Sequence, residues 1–530
     1  MVHIGCFRLA VAMAPVYNRT GMGLPRLVIT GASGFIGRRL LDGLKERFEI
    51  VGLARQSQAR CGAPFHENIS WFQCDIGDRD SLDMAFRFVQ ETGGAEYLIH
   101  LAAHYDFTGE DHPEYWRTNV EGLRNVLEEC RNLSLKRFIF ASSLAACQFP
   151  DDGSVLTESS PPDGEHVYAV TKRMGEQMLA DFDDSVPSCI VRLAAMFSDW
   201  CEYAPLYIFV ETWLSGAWNS RILGGRGKSA IPYLHVREIS PFMRRLIANN
   251  DRIEQRQVLI ASPSHTLNHR QLFDLVHAFS GDGNKGPILM PVPLAKVGVR
   301  VRDVLGRALG NRPFERPWML TYIDRDLAVD ASRSHAFLSW RPRRRLFMER
   351  RMAFLIDHRR SDPIEWQQRN RAALKEVHLR ANLRVHRLLE RHQDVIEDRF
   401  LTSLMEGPEA AARFPSYQKV SPQVAEWRFT VALRHIMNSV RTQERGLFIG
   451  YCRDFSAKRF QDGFSATEVT GALKLLSRTC LEVVRRDPEC DGLDDALYKH
   501  LTMTVEFGCD QVIEVFEDLS GEEIDEAPEP

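Results

Sequence analysis

The chain has 530 residues, of which 44% are hydrophobic and 26% are charged, and its formal net charge is −4. This length predicts at least two domains, because a domain usually spans about 100–200 residues. The composition is that of a globular protein, and the small net charge gives no general attraction to nucleic acid, so we expect no nucleic-acid partner.

Cysteine usage and the N-terminal residues indicate the cellular compartment. The eleven cysteines lack paired CxxC spacing, which favours neither a disulfide framework nor a zinc site, and we expect no metal. Reduced thiols fit a cytoplasmic location. Residues 1–24 contain a short apolar run that is only weakly basic at its start, and we interpret them as a disordered N-terminal extension rather than an export signal. Uncharged apolar runs of spanning length are absent from the sequence, so no membrane-spanning helix is predicted.

Residues 25–355 alternate short apolar runs with segments of helical periodicity. The strand-like runs are 27–30, 50–53, 69–74, 97–101, 137–141 and 189–193. The helical segments between them are 35–48, 81–91, 113–132 and 167–182. This alternation predicts an α/β fold, a Rossmann-type doubly wound parallel sheet with crossover helices and a small substrate domain.

The stretch VITGASGFIG places three glycines directly after the first predicted strand. Gly31 would end the strand in a tight turn, Gly34 would let the backbone approach a pyrophosphate, and Gly37 would let the next helix pack on the sheet. The N-terminus of that helix would supply N–H donors to the phosphates. The position of the pattern, at the first turn from strand to helix, predicts a dinucleotide site.

The ends of the second and third strands bear on the choice of dinucleotide. Arg55 stands where a carboxylate usually holds a free ribose 2′-hydroxyl, and an arginine suits a 2′-phosphate instead. Arg38 could add to that charge, although both arginines could equally be solvated surface side chains. We therefore predict NADP as the cofactor, with NAD as the alternative. Asp75 could accept a hydrogen bond from the adenine amino group or simply cap the end of its strand.

Three residues suit acid–base chemistry at the carboxyl edge of this sheet. Tyr168 and Lys172, in YAVTK, are spaced i, i+4 and share one helix face. A free phenol has a pKa of about 10, and a nearby cation lowers it toward the neutral range. Ser143 ends the fifth strand, where its hydroxyl could hold a carbonyl oxygen. Each residue alone has a structural explanation, but together, in these elements and this order, they indicate catalysis.

With these motifs, the segment from about residue 25 to about residue 350 resembles the extended short-chain dehydrogenases/reductases. TGASGFIG matches the family's TGxxGFIG, LIHLAA its fourth-strand motif and TNVEGLRNVL its following helix. Ser143, Tyr168 and Lys172 match its catalytic set. The resemblance implies hydride transfer between a nicotinamide and a carbon that bears oxygen, with Lys172 also holding the nicotinamide ribose and Asn119 lying near the cofactor. YLHVREIS looks like the family's substrate-domain strand and turn, with Glu238 where an aspartate is usual, and DASRSHAFLSWRP looks like its closing segment.

The glycine turn and the resemblance together predict a set of cofactor-binding residues. They are Gly31, Ser33, Gly34, Phe35, Ile36, Gly37, Arg38, Arg55, Asp75, Ile76, Leu101, Ala102, Ala103, Asn119 and Lys172.

The residues after Ser143 separate the branches of this family. Sugar 4,6-dehydratases carry a Thr-Asp-Glu stretch there, whereas this chain has Leu144, Ala145 and Ala146, so no acid–base pair for dehydration is present. Cys147 replaces the tyrosine of the epimerase-like SATVYG stretch. The apolar run looks more like the 3β-hydroxysteroid dehydrogenase and dihydroflavonol reductase branches. We therefore predict an NAD(P)-dependent dehydrogenase or reductase for a bulky, fairly apolar small-molecule substrate, with a nucleotide-sugar epimerase or a dinucleotide-binding redox sensor of little turnover as alternatives.

Three further segments bear on substrate and partners. Residues 194–234 are rich in Trp, Tyr and Phe, which would line an apolar pocket or simply pack together. Residues 341–360 carry eight arginines, which favours a solvated or linker face over a phosphate- or membrane-binding patch, and we place a basic helical linker at 356–380. Residues 287–309 mix apolar and basic residues at near-helical spacing, which leaves peripheral membrane contact open.

From about residue 372 onward, helical patterns replace strand patterns. We predict a helical bundle domain over 381–519, with helices near 373–405, 421–459 and 493–517, and an acidic disordered tail over 520–530. Ser465 and Glu468 form a capping box before another helix, with Phe464 as the staple residue. His435, Cys452 and Cys509 fit a helical core better than a metal or haem site.

The C-terminal region also resembles a known sensor domain. YCRDFSAKRFQDGFSATEV and TVEFGCDQVIEVFED are similar to segments of the N-terminal sensor domain of RsbT co-antagonist proteins. The resemblance rests on no catalytic motif and implies a regulatory or dimerising module. We therefore expect a homodimer and a signalling partner that binds through this helical domain.

Overall fold

The computed structural model describes residues 23–150, 153–281, 286–308, 312–374 and 380–521. The chain divides into two compact units, one ending at residue 378 and the other beginning at residue 379. The predicted N-terminal extension and acidic tail lie almost wholly outside the described residues.

A seven-stranded parallel sheet forms the centre of the first unit. The strands of this unit are β1 (Arg26–Thr30), β2 (Glu49–Ala54), β3 (Ile69–Gln73), β4 (Tyr97–His100), β5 (Arg137–Ser143), β6 (Ser188–Leu193), β7 (Ala195–Phe197), β8 (Ile222–Gly224), β9 (Ala230–Ile231), β10 (Tyr233–His235), β11 (Gln257–Ala261), β12 (Leu267–Asn268) and β13 (Ile288–Met290). The large sheet has the order β3-β2-β1-β4-β5-β6-β11, and β10-β7, β12-β9 and β13-β8 form separate pairs. The doubly wound sheet is thereby confirmed, and its order reverses between β1 and β4, where such sheets place ligands.

The sequence predicted six of these seven strands and missed the edge strand β11. Its segment QVLIA has only five residues, and the first two are partly exposed because the strand lies at the edge of the sheet. The apolar run is therefore too short to stand out from its polar surroundings.

Helices cover both faces of the sheet. Those of the first unit are α1 (Phe35–Leu44), α2 (Gln58–Cys61), α3 (Arg79–Glu91), α4 (Gly122–Cys130), α5 (Val167–Met178), α6 (Ala204–Trp213), α7 (Ile239–Ala248), α8 (His269–Ser280), α9 (Val292–Ala308), α10 (Ser332–Leu338), α11 (Met348–Ser361) and α12 (Pro363–Leu374). Apolar side chains of α1 and α7 pack in the core on one face, and those of α3 and α4 pack in the core on the other.

Two predicted helices differ from the structure at their ends. The helix predicted over 35–48 ends at Leu44. Phe48 lies after the turn that follows the helix, but it is buried and comes four residues after the buried Leu44, so its position in the sequence fits helical spacing. The helix predicted over 113–132 begins at residue 113, contains a seven-residue π-helical segment, Tyr115–Glu121, and continues as α4 to Cys130. Periodicity alone does not distinguish such a widened turn from an α-helix.

Part of the arginine-rich segment packs against earlier residues of the first unit. Arg351 of α11 pairs with Asp199 at 2.6 Å, and Arg359 pairs with Glu211 of α6 at 2.8 Å. Trp366 of α12 is fully buried and donates to the same Glu211 carboxylate at 2.9 Å. Some of these charges therefore find carboxylates earlier in the chain, which a local reading of the sequence does not reveal. Six of the eight arginines of 341–360 are exposed, as expected for a solvated face.

The second unit is a bundle of helices, as predicted. The helices are α13 (Ala381–Arg391), α14 (Gln393–Met405), α15 (Gly407–Arg413), α16 (Pro422–Thr442), α17 (Gly446–Gln461), α18 (Ala466–Val484), α19 (Asp494–Leu497) and α20 (Met503–Ser520). The capping box at Ser465 and Glu468 is present at the start of α18, and Phe464 is buried in the bundle core. Among the described helices of both units, none combines the length and apolarity needed to cross a bilayer.

The helix predicted over 493–517 is present as an unbroken helical run from α19 to α20, which widens into a π-helical turn at Tyr498–Thr502. Leu497, Leu501 and Val505 are all buried at successive spacings of four. A spacing of four exceeds the 3.6 residues of an α-helical turn, and one wider turn keeps all three side chains on the core side.

A buried ion pair beneath α5 makes a first prediction. Arg192 of β6 donates twice to Glu176 of α5, at 3.0 and 2.8 Å, and both side chains are buried. Changing Arg192 to Met should lower the free energy of unfolding by about 3–5 kcal/mol, because the Glu176 charge is left buried without its partner. The double change Arg192→Met with Glu176→Leu should cost less than the sum of the two single changes. Urea titrations of the three variants measure this.

The surface pair of Arg79 and Glu128 provides the control. Arg79→Met should cost under about 1 kcal/mol, because its side chain is mostly exposed and water screens the charge. Equal losses for Arg192→Met and Arg79→Met would contradict a structural role for the buried pair.

Candidate active site

The turn between β1 and α1 brings three backbone segments into close approach. Gly31 has φ +69°, and a Cβ there would lie 2.7 Å from the backbone nitrogen of Ala102, just after β4. A Cβ on Gly37 would lie 2.4 Å from the carbonyl oxygen of Gly31. Any larger residue at either position would force the backbone apart, so the turn requires glycine at both.

Helix α1 begins at this turn and faces an open space. Gly34 is its N-cap, and among the described residues no side chain caps the helix there. Gly34, Phe35 and Ile36 line a cavity of about 980 Å³, so the first turn of the helix borders that space. Backbone N–H groups at a helix N-terminus favour an anionic ligand such as a phosphate.

The same cavity collects ten of the residues predicted from sequence. They are Gly31, Gly34, Phe35, Ile36, Gly37, Leu101, Ala103, Ser143, Tyr168 and Lys172. The predicted catalytic residues and the glycine turn thus border one space at the carboxyl edge of the sheet.

The other predicted residues lie outside the lining of this cavity, and several have partners of their own. Asn125 donates to the carbonyl oxygen of Ile76, and Ala102 donates through its N–H to Thr30. Arg38 donates to the carbonyl oxygen of Cys61 at 3.0 Å and borders a second cavity of about 540 Å³. Ser33 is half-buried in the turn.

Arg55 belongs to a network of two arginines and two carboxylates. Its guanidinium donates to Glu114 at 3.1 Å, and Glu114 is buried. Arg117 lies 3.6 Å from the same carboxylate and 3.3 Å from Asp75. A 2′-phosphate would therefore compete with Glu114 for Arg55, and an adenine would compete with Arg117 for Asp75.

Tyr168 and Lys172 occupy successive turns of α5. The Lys172 ammonium is buried and donates to the carbonyl oxygen of Ala141 at 2.7 Å. It lies 5.8 Å from the centre of the Tyr168 ring. Burial lowers the pKa of Lys172 to about 8, while the charge of Glu176 acts to raise it. The ammonium is therefore still mostly charged at neutral pH.

Ser143 ends β5 with its hydroxyl held in place. The side-chain oxygen accepts a hydrogen bond from the backbone N–H of Ala145 at 3.1 Å, in the short 3₁₀ turn that follows the strand. Because this bond uses only the oxygen as an acceptor, the hydroxyl hydrogen can be donated to a ligand in the cavity.

Asn119 is a positioning residue for α5. It lies in the buried π-helical segment, where its side-chain oxygen accepts from the N–H of His104 at 2.6 Å. Its amide nitrogen donates to the Thr171 hydroxyl at 3.0 Å, in the turn of α5 between Tyr168 and Lys172. Asn119 thereby connects the loop after β4 to α5.

Two rings contact Tyr168 and a third stacks on one of them, and the sequence predicted none of the three. The ring centres of Tyr105 and Tyr168 lie 4.3 Å apart. The His166 ring stacks on both Tyr168 and Trp318, at 6.1 and 5.5 Å, and burial lowers the pKa of His166 to about 4, so its ring is neutral at neutral pH. Tyr105 follows β4 at the edge of the sheet where ligands bind, so its position in the sequence could have predicted a place in the site. Trp318 comes from a distant segment, and no pattern in the sequence predicts its position here.

The aromatic stretch after β6 supplies much of the rest of the cavity wall. Tyr203, Phe209, Trp213 and Trp218 line the cavity, together with Phe314 from beyond α9. Glu238 lies elsewhere, buried and bound to Arg343 at 2.7 Å. In the described ranges, His, Cys, Asp and Glu side chains form no group of three or more that could hold a metal ion.

Comparison with known proteins agrees with this geometry. Residues 27–261 match the NAD dependent epimerase/dehydratase family. A putative dihydroflavonol 4-reductase of Synechocystis sp. is 32% identical over 132 residues, which cover 25% of this chain and 36% of that protein. An N-acetyl-α-D-glucosaminyl-diphospho-ditrans,octacis-undecaprenol 4-epimerase of Escherichia coli O157:H7 is 25% identical over 295 residues, which cover 54% of this chain and 81% of that protein.

One further relative and one solved structure are similar to this chain over different lengths. A 3β-hydroxysteroid-dehydrogenase/decarboxylase of Arabidopsis thaliana is 28% identical over 189 residues, which cover 32% of each chain. This chain thus spans about a third of the length of the reductase and of the decarboxylase. The crystal structure of dTDP-glucose 4,6-dehydratase from Bacillus anthracis has a TM-score of 0.50 at 15% identity, covering 64% of this chain and 98% of that one, and shows the shared fold. Residues 27–261 of this chain are thus similar to the NAD dependent epimerase/dehydratase family.

Proposed function

We propose that this protein is an NAD(P)-dependent dehydrogenase or reductase that interconverts a ketone and an alcohol on a bulky, fairly apolar substrate. One observation carries the proposal: the glycine turn, Ser143, Tyr168 and Lys172 border a single cavity whose remaining wall is largely aromatic and aliphatic. The similarity to a reductase and to a 3β-hydroxysteroid dehydrogenase supports this proposal. Because an epimerase is also similar to this chain, the experiments below include an outcome that would indicate an epimerase.

The residues of the cavity fit a nicotinamide dinucleotide. The turn at Gly31 and Gly37 leaves no space for a Cβ, and the first turn of α1 borders the cavity, where its backbone N–H groups suit a pyrophosphate. Lys172 borders the same space and would hold the nicotinamide ribose. When bound, the nicotinamide would supply or accept the hydride.

Tyr168 would exchange the proton of the reaction. In the direction of reduction, its hydroxyl donates a proton to the substrate oxygen as that oxygen gains negative charge, and in the direction of oxidation the phenolate takes the proton back. Ser143 donates its hydroxyl hydrogen to the same oxygen and stabilises the developing charge. The hydrogen bond from Ala145 holds that hydroxyl in position beforehand.

Lys172 would support Tyr168 electrostatically. Its ammonium lies 5.8 Å from the Tyr168 ring centre, in a buried setting where water does little to screen the charge. A cation at this position stabilises the phenolate relative to the phenol. The hydrogen bond to Ala141 fixes the ammonium against β5, so its distance from Tyr168 changes little.

The character of the cavity wall favours an apolar substrate. Tyr105, Phe107, Phe209, Trp213 and Phe314 contribute rings to it. Polar hydroxyls of a sugar would lose water on entering and find few donors or acceptors on these rings. A polycyclic or long aliphatic ketone would instead gain from burial of its apolar surface.

Tyr168→Phe should lower kcat for carbonyl reduction by about 100-fold or more, because it removes the proton donor. Affinity for the dinucleotide should stay within a few-fold of the parent chain, since the ring remains. Nicotinamide absorbance measures turnover against a panel of steroid, flavonoid, aldehyde and nucleotide-sugar substrates, and calorimetry measures cofactor binding.

Tyr207→Phe is the matched control for this substitution. Tyr207 is buried on α6 but lies outside the cavity lining, so its loss should leave turnover unchanged. Full activity of Tyr168→Phe would remove Tyr168 from the mechanism. Product formation from a nucleotide sugar without net cofactor oxidation would indicate an epimerase, and dinucleotide binding without turnover on the whole panel would indicate a sensor.

The rate of carbonyl reduction should fall as the pH rises through about 8. Burial lowers the pKa of Lys172 to about 8, so the ammonium is charged below that pH and neutral above it. Above about pH 8, Tyr168 no longer has a cation beside it and the bound cofactor loses a positively charged contact, so the rate should fall. The pH dependence of kcat/KM measures this, and Lys172→Met should lower the rate and remove the inflection. An inflection that persists unchanged in Lys172→Met would assign it to another group.

Arg55→Ala should weaken NADP binding by about tenfold or more while leaving NAD binding unchanged, because only NADP carries the 2′-phosphate. Glu114→Gln should have the opposite effect on NADP, since it removes the carboxylate that now competes for Arg55. Titration with each dinucleotide measures both, and Arg47→Ala, an exposed change on the same unit, is the control. Equal changes for NADP and NAD in Arg55→Ala would contradict a phosphate role for this residue.

A further inference from the structure

Helix α9 has an apolar face that points outward. Five of its side chains are between 52% and 65% exposed, and they define the α9 apolar stripe: Leu294, Val297, Val301, Val304 and Leu305. At 100° per residue, these positions fall within about 100° of the helix circumference. A surface helix normally turns such a face to the core and its polar face to water, so α9 is reversed.

The inward side of α9 is fixed by small and polar residues. Ala295 and Gly306 are buried there, and Asp303 is buried with its carboxylate bound to Arg312 at 2.7 Å and Arg307 at 3.0 Å. The helix cannot simply rotate its stripe inward, because rotation would expose these packed groups and carry the Asp303 carboxylate away from Arg312, which lies outside the helix.

The stripe is continuous with the mouth of the candidate active-site cavity. Val301 belongs to the stripe and also lines the cavity. Ala295 and Val299 lie outside the stripe, on the adjoining side of the helix, and line the cavity as well. Trp218 lines the cavity too and is 79% exposed, so it lies at the opening. Ile288 of β13 adds a further exposed apolar side chain just before α9.

Basic side chains follow one edge of the stripe. Lys296, Arg300 and Arg307 project between the stripe and the buried side of the helix, within about 40° of one another at 100° per residue. Arg307 pairs with Asp303, whereas Lys296 and Arg300 have no acidic partner among the described residues. An apolar face flanked by unpaired positive charge complements the interface of a membrane that carries anionic headgroups.

We infer that α9 docks the protein on the surface of an anionic phospholipid bilayer, with the α9 apolar stripe immersed at the level of the headgroups and Lys296 and Arg300 on the phosphates. The mouth of the cavity then opens toward the lipid. Given the proposed function, an apolar ketone or alcohol dissolved in the bilayer would enter the cavity directly, without crossing water.

A second copy of the chain fits the stripe less well. A stable interface between proteins usually involves about 20–30 residues a side, whereas the stripe comprises five side chains on one helix. In an antiparallel pair of α9 helices, its basic flank would lie beside the identical flank of the second copy, which is repulsive.

Sedimentation of the full chain with vesicles tests docking without reference to catalysis. We expect binding to vesicles of phosphatidylcholine with phosphatidylglycerol, and weaker binding to phosphatidylcholine alone. Val297→Gln with Val304→Gln should lower binding by about tenfold or more, and neither residue lines the cavity. Lys296→Gln with Arg300→Gln should remove the preference for phosphatidylglycerol.

Ile364→Gln with Val424→Gln is the matched control, because both side chains are exposed and lie outside α9. Its binding should equal that of the parent chain. Absence of binding by the parent chain, or equal binding by the stripe variant, would overturn docking. Conversion of a self-associated parent into a monomer by the stripe variant, without vesicle binding, would overturn it in favour of a second copy.

Measurements of turnover with two ketones distinguish a failure of membrane docking from a failure of the proposed function. With a short water-soluble ketone, the stripe variant should match the parent, and with a lipid-soluble ketone held in vesicles it should be slower by about the same factor as its loss of binding. Vesicle binding with no turnover of either ketone would leave docking intact and refute the proposed function. Equal rates on both ketones for parent and stripe variant would refute delivery from the bilayer.

Discussion

The close approach of β1, β4 and α1 at Gly31 is the constraint on which the rest of the first unit depends. Two backbone contacts that leave no space for a Cβ, one to Ala102 and one between Gly37 and the Gly31 carbonyl oxygen, bring the N-terminus of α1 to the point where the sheet order reverses. The loops that follow β4 and β5 then meet across the same edge. The cavity, and every residue assigned a chemical role, follows from that convergence.

A buried ion pair holds α5 in position at this edge of the sheet. The buried pair of Arg192 and Glu176 joins β6 to α5, and Ser142 of β5 donates to the same carboxylate at 2.6 Å. Glu176 also raises the pKa of Lys172 against the effect of burial. The carboxylate therefore has two consequences: it holds α5 against the sheet, and it helps an ammonium remain charged where water does not reach. Glu176 therefore influences both the position of α5 and the charge of Lys172.

Local patterns in the sequence predicted six of the seven strands of the large sheet, the glycine turn and the set of Ser143, Tyr168 and Lys172, because each rests on spacing within one element or on the end of one strand. Features that depend on distant residues were not predictable. Arg55 is 59 residues from its partner Glu114, Trp318 reaches His166 from a separate segment, and the arginines of α11 meet carboxylates that precede them by more than a hundred residues. Spacing within a segment carries no information about such pairs.

Helix α9 differs from the core in what its residue pattern can contribute to folding. A buried valine stabilises the folded chain through the water it excludes, but an exposed valine adds little that glutamine or lysine would not provide. The buried side of α9 explains Ala295, Asp303 and Gly306, which pack or pair. Folding alone gives no reason for five outward apolar side chains in helical register. A reason arises only if that face meets an apolar phase, and the stripe runs into the opening of a cavity whose walls are themselves apolar.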